Sequence, residues 1–180
     1  MRHLVDASHA ARACGKGLAM NREEYATEVR RTMPQRNDDL QLAVYVLGLV
    51  GEAGELDSAL ESLDLYVSRE NLDRLLKEAG DCYWYAFAIA NSCGVTLDAH
   101  APSNELPVLI AAQIAEYFKK YLGHGEPLDV GVVRTALCAF LSALPTMAGD
   151  EAEIMRLNVE KLRKRYPEGF SITASLERKE

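Results

Sequence analysis

Two short motifs carry the chemistry on offer in this sequence: Glu52-Ala-Gly-Glu55 and, further along, Glu78-Ala-Gly-Asp81. Residues three apart share one face of an α-helix, so each motif sets two carboxylates side by side. The flanking sequence is mostly apolar, LGLVGEAGEL around the first and LLKEAGDCYWYAFAIA around the second, which predicts that the acids lie near the interior of a helical bundle. Four carboxylates held there without counter-charge repel one another and resist burial, and a divalent cation relieves both costs. Oxygen donors without thiolate or imidazole at matching spacing select Mg²⁺, with Mn²⁺ as a substitute, over zinc, and Mg²⁺ joins protein carboxylates to substrate phosphates. Glu52, Glu55, Glu78 and Asp81 are therefore the predicted metal ligands. The small residues Ala53, Gly54, Ala79 and Gly80 are expected to let the helices and an ion approach closely, at a helix-propensity cost of about 1 kcal/mol per glycine. Taken singly, either pair also fits the solvated face of a surface helix; the repeat of the same small filling weighs against that reading. From Glu52 to Asp81 nine acids stand against three bases, and Asp57, Glu61, Asp64, Glu70 and Asp73 among them are expected to be ordinary surface.

A second constellation lies near the C-terminus, where Asn158, Lys161 and Arg165 recur at i, i+3 and i+7 and align an amide and two cations. Such a face suits phosphate oxygens. It also suits the last turn of any helix, where cations complement the macrodipole, and spacing alone leaves both readings open. Trp84 and Tyr85 can stack on a base, but in so apolar a helix they read as core. His3, His9, His100 and His124 are isolated and read as surface. There is no glycine-rich phosphate loop or nucleophile elbow.

The elements that must position these residues read as helix after helix, an all-α bundle of about six. Asn21 with Glu24 has capping-box spacing and opens a helix to about Thr32, ended by Pro34. A second helix covers Leu40 to Leu63, and a third starts after Ser68 and runs to a stop at Cys93-Gly94. Leu106 to Leu122 ends at Gly123 and Gly125; Val130 to Met147 carries a late Pro145 that predicts a kink or an early end. Asp150 with Glu153 opens the last helix, which is expected to reach Tyr166 because Pro167 follows. Residues 1–20 read as a flexible N-terminal extension, with Met20 a conceivable alternative start, 21–170 as one domain, and 171–180 as a tail.

With 180 residues, 48% of them apolar and 26% charged, the chain suits one well-buried domain. Its net charge of −7 argues against a nucleic-acid polymer or an anionic membrane as partner. No apolar run reaches the roughly 18 residues of a membrane span, and residues 1–20 lack the apolar centre of a secretory signal. Cys14, Cys82, Cys93 and Cys138 are scattered without a C-x-x-C pair, as expected of reduced thiols in a cytoplasmic protein.

There is a faint internal echo. Leu47–Leu56 aligns without gaps on Val108–Tyr117, and Leu75–Tyr83 on Val132–Phe140, so that Gln113, Thr135 and Cys138 stand where Glu52, Glu78 and Asp81 stand in the first copy.

LGLVGEAGEL, KEAGDCYWYAFAIA and NVEKLRKRYPEGF, in that order, resemble the MazG-like all-α nucleoside triphosphate pyrophosphohydrolases, relatives of the dimeric-type dUTPases. The resemblance covers Tyr25 to about Cys93 and Asp150 to Phe170, and EYATEVRRT is similar to the family's usual lead-in. It implies hydrolysis of a ribo- or deoxyribonucleoside triphosphate to the monophosphate and pyrophosphate, in nucleotide-pool housekeeping, by a homo-oligomer, most simply a dimer. Glu52, Glu55, Glu78 and Asp81 take the family's Mg²⁺-ligand role, with Glu52 or Glu55 as the base for an attacking water. Asn158, Lys161, Arg165 and Tyr166 take its substrate-side role. The chain departs from the pattern by inserting residues 106–147 as a helical hairpin, read either as a degenerate repeat or as a second amphipathic hairpin that aligns by chance, and by carrying LDSALES where relatives carry paired lysines. Lys119 and Lys120 lie at the comparable place in the insertion and are expected either to reach the substrate or to solvate a helix end. Two other classes compete. A di-iron bundle needs Glu-x-x-His pairs, which neither motif has; a non-catalytic nucleotide-binding or helical interaction module could keep the same scaffold.

Overall fold

A computed structural model describes residues 20–36, 38–98 and 103–176. The expectations for residues 1–19, including Cys14, His3 and His9, and for His100 lie outside the described residues.

The chain is all-α, with no strand among the described residues. Local polar signals set most helix starts. In α1 (Arg22–Thr32) the Asn21 side chain accepts from the Glu24 amide at 2.9 Å and the Glu24 carboxylate from the Asn21 amide at 3.1 Å, the predicted capping box. Asp38 caps α2 (Asp39–Leu65) and Ser68 caps α3 (Arg69–Ser92), each accepting from a backbone N–H three residues on. Pro107 opens α4 (Pro107–His124), which runs through Gly123 and stops only at Gly125, whose φ of 72° is the left-handed geometry glycine supplies. Pro145 divides α5 (Val130–Ala143) from a single turn, α6 (Pro145–Ala148), as a proline in a helical run should. Asp150 caps α7 (Glu151–Arg165), with Tyr166 already out of the helix, and a short α8 (Ile172–Leu176) occupies the segment read as tail.

Helix α3 is the hub, touching α1, α2, α5, α6 and α7. It forms a long hairpin with α2; the α4/α5 hairpin lies against that one, α4 on α2 and α5 on α3, while α1 and α7 also pack on α3 and touch each other. The shared core is aromatic and aliphatic, with Tyr25 edge-on to Tyr83 and Phe87 and with Leu49, Leu56, Phe118, Phe140 and Ile154 fully enclosed. Burial of each such side chain contributes roughly 1.5–3 kcal/mol. Trp84 belongs to this packing: its indole N–H donates to Thr32 Oγ1 at 2.8 Å and its ring meets Tyr45 and Tyr85 edge-on. Tyr85 in turn requires Gly48, where a Cβ would sit 2.1 Å from the ring. Cys82 and Cys138 are buried free thiols and Cys93 is half-buried. The stretch Val130–Ala148 is long and apolar enough to cross a membrane by length and composition, unlike the reading from sequence, but its buried residues Val133, Leu137, Phe140 and Leu141 are part of the core.

Candidate metal centre

The two acidic motifs face each other across the α2/α3 hairpin. One carboxylate oxygen from each of Glu52, Glu55 and Glu78 lies within 4.8 Å of the other two. Their exposure is graded: Glu78 is 3% exposed, Glu52 is half-buried and Glu55 is exposed. The donor set is therefore a funnel of carboxylate oxygens, closed at the α3 end and open beside Glu55. Burial, then the charges of Asp81, Glu55 and Glu78, push the Glu52 carboxyl up to about 7, against the pull of Lys161. Only oxygen ligands converge, which fits a hard divalent cation; Glu52, Glu55 and Glu78 are the residues that could hold it.

Asp81 is placed differently from the expectation. It lies near enough to act on Glu52, yet its Oδ1 accepts from Asn158 Nδ2 at 3.1 Å and pairs with the Lys161 ammonium, so α7 claims it and the converging set holds three acids. The amide has a defined sense, because Asp81 can only accept while the Tyr25 hydroxyl donates to Asn158 Oδ1 at 2.8 Å. Both ends of a 3%-exposed amide are thus used, and α1, α3 and α7 are tied through it. Burial, followed by the charge of Asp81, raises the Tyr25 hydroxyl well above its ordinary value, keeping it a donor. Gly80 makes this approach possible: a Cβ there would lie 3.0 Å from Asn158 Cβ and 3.1 Å from its Nδ2. Ala53 and Ala79 are fully buried, as the close-packing expectation requires. Gly54 is not used that way, since it is exposed with nothing within 4 Å of an added Cβ.

The remaining sequence-derived site residues are not brought to the acids. Arg165 is half-buried one turn beyond Lys161 and makes no ion pair among the described residues. Tyr166 packs on Phe170 with ring centroids 5.7 Å apart, and its carbonyl accepts from Arg31 at 2.6 Å, about 12 Å along the helix axis from Asn158. Lys119 pairs with Glu116 at 2.5 Å and Lys120 is exposed; Tyr121 beside them meets Asp39 at the start of α2, about 20 Å along that helix from Glu52. The antiparallel run of α4 on α2 sets this distance, so within one chain the insertion delivers no cation to the acids.

Sequence reasoning missed Lys77. Its ammonium lies 3.1 and 3.4 Å from the two carboxylate oxygens of Glu78. Burial lowers the Lys77 ammonium pKa, but the hydrogen bond and charge of Glu78, with Asp81 and Glu52 behind, leave it raised on balance. Adjacent helical residues do not share a face, so spacing gave no sign of the pair. Lys77 and Lys161 also line a groove of about 240 Å³ between α3 and α7, with Asp73, Leu76, Gly80, Leu157 and Asn158.

Comparison with known proteins adds little to this geometry. No protein-family model matches the chain, and no solved structure matches it. A stretch of 67 residues is 36% identical to the Gene 37 protein of Mycobacterium phage L5, covering 35% of this chain and 59% of that protein's length.

Proposed function

We propose that the protein is a Mg²⁺-dependent nucleoside triphosphate pyrophosphohydrolase that cleaves between the α and β phosphates, acting on the cytoplasmic nucleotide pool. The observation that carries this reading is the convergence of Glu52, Glu55 and Glu78 directly beside a groove lined by two lysines. The motif resemblance to the MazG-like enzymes supports it. Glu52, Glu55 and Glu78 would hold the cation, with Mn²⁺ an alternative. When bound, such an ion neutralises phosphate charge and lowers the pKa of a coordinated water. Glu55, on the solvent side of the funnel, is best placed to take a proton from an attacking water, with Glu52 next to it. Asn158 and Lys161 hold Asp81 and steady the wall facing the acids, so the chain's contribution is positioning and electrostatics.

The test is a panel of ribo- and deoxyribonucleoside triphosphates with Mg²⁺, scoring pyrophosphate release. Wild type should yield monophosphate and pyrophosphate, and Glu55→Gln should lower kcat/KM about a hundredfold. Release of orthophosphate alone, or indifference to Glu55→Gln, would contradict the assignment.

A further inference from the structure

Three consecutive large apolar side chains stand in solvent at the tip of the α2/α3 hairpin: Leu65, Tyr66 and Val67, which are 88%, 72% and 60% exposed. Hydrogen bonds hold this tip in one shape. The Tyr66 amide donates to the Ser62 carbonyl at 3.0 Å, Ser68 caps α3, and Asn71 Nδ2 donates to the Ser62 and Tyr66 carbonyls at 3.2 and 2.8 Å. A fixed apolar knuckle facing water marks a contact site when a surface shaped to receive it exists.

The same chain carries such a surface. The α3–α7 groove is almost wholly apolar: Leu76, Gly80 and Leu157 line it, and Lys77 and Lys161 give it their methylenes while their ammoniums turn onto Glu78 and Asp81. Its roughly 240 Å³ is the room of about eight waters, which an aromatic side chain of tyrosine's size fills. Leu76 lies about 10 Å along α3 from Arg69, so the rigid tip cannot fold back into its own groove. A second copy can supply it, because the register is self-complementary. Tyr66 and Leu76 lie equally far on either side of Asn71, and so do Arg69 and Asp73. Arg69, Asp73, Leu76 and Gly80 share one face of α3 at i, i+4, i+7 and i+11. Two copies laid antiparallel on that face, about a two-fold axis at Asn71, set Tyr66 of each at the partner's Leu76 and Arg69 of each beside the partner's Asp73. Within one chain Arg69 and Asp73 are 4.0 Å apart and well exposed, too open to hold each other firmly. Charge matches as well as shape: the exposed acids Glu61, Asp64 and Glu70 flank the tip, and the α7 wall continues past Lys161 to the exposed Lys164.

We propose that the Leu65-Tyr66-Val67 tip of one copy seats in the α3–α7 groove of a second copy, which returns the contact, so that each Tyr66 ring lies between Leu76, Leu157 and the two lysine stems. The groove is open along one side, which suits a phenol whose ring is buried and whose hydroxyl stays wet. The acid funnel opens beside Glu55 of α2, away from the groove, so the contact leaves that mouth clear. Seating the ring also packs the stems of Lys77 and Lys161 in the positions that keep their ammoniums on Glu78 and Asp81. The contact needs neither metal nor nucleotide, and it stands or falls apart from the proposed function.

The test is sedimentation velocity of the full chain at low salt, over concentrations from about 1 to about 200 µM, where wild type should dimerise with a Kd of about 10 µM. Tyr66→Ser should weaken dimerisation about a hundredfold, because each dimer loses the anchor twice. Leu157→Glu should do the same from the groove side, with helix content by circular dichroism unchanged. Arg69→Asp and Asp73→Arg, both at exposed positions, should each weaken it about tenfold by setting like charges opposite each other. An equal mixture of those two variants should return to within about threefold of wild type, since opposite charges then meet across the copies while neither chain's own pair is mended. Wild type that stays monomeric to about 200 µM overturns the proposal. So does Tyr66→Ser dimerising within twofold of wild type, or a mixture no tighter than its components. Loss of the dimer in Leu47→Glu with Tyr66→Ser unaffected overturns it too, placing the contact on the exposed α2 row of Leu40, Val44 and Leu47.

Discussion

The α2/α3 and α4/α5 hairpins align without gaps over two segments and bury opposite chemistry. On α3, Glu78 is buried and Gly80 lies against Asn158; at the matching places on α5, Thr135 is exposed and Leu137 is fully enclosed. Asp81 meets an amide and an ammonium from α7, while its counterpart Cys138 is a buried thiol. The polar residues that stand where Glu52, Glu55 and Glu78 stand in the first hairpin pair locally: Gln113 donates to Glu105 at 2.9 Å, Glu116 pairs with Lys119, and the Thr135 hydroxyl donates to the Gly131 carbonyl. The contrast teaches that acids at helical spacing do not make a site. A third helix has to come close enough to brace them, and a glycine in the wall permits that where a leucine fills the space with hydrocarbon.

Breaking the first hairpin's chemistry should have the largest effect. Glu78→Gln should reduce Mn²⁺ affinity and pyrophosphate release by about a hundredfold or more, with helix content by circular dichroism unchanged, whereas Thr135→Gln should leave both within twofold. Similar losses in the two variants would erase the distinction. Leu137→Ala should act on stability instead, lowering the unfolding free energy in urea by about 2–5 kcal/mol while kcat/KM per folded molecule holds. A pH series sharpens the comparison further. Because the folded protein holds the Glu52 carboxyl at about 7 against an ordinary 4.5, the metal-free chain in EDTA should lose stability as pH rises from about 4.5 to 7. The gain in Tm on adding Mg²⁺ should grow across the same window, since only the ionised carboxylate is a ligand; a flat profile would place Glu52 in solvent. The smallest effect is expected from Lys119→Ala with Lys120→Ala. KM should stay within twofold, and a clear rise would restore the second hairpin to the site.

Much of this molecule is readable without coordinates because the signals are local. The Asn21 capping box, the Ser68 and Asp150 caps, and the breaks at Gly94 and Pro145 each depend on a few neighbouring residues, and each falls where the sequence puts it. The pairing of Glu52 and Glu55 with Glu78 follows from helical spacing plus an apolar surround. What spacing does not encode is how helices rotate and slide against one another. That rotation gives Asp81 to α7, separates the buried Gly80 from the exposed Gly54, and carries Lys119 and Lys120 to the wrong end of α2. Lys77 escapes for a different reason: a flexible chain contradicts the face its Cα occupies. Tyr25 reads as one more core aromatic until its hydroxyl is seen on Asn158.

The tie among Tyr25, Asn158 and Asp81 joins positions 133 and 77 residues apart. A ribosome therefore finishes both acidic motifs before it makes the amide and ammonium that meet Asp81. A chain cut short ahead of α7 would still carry the anionic hairpin but would leave Asp81, whose charge acts on Glu52, without its amide and ammonium partners.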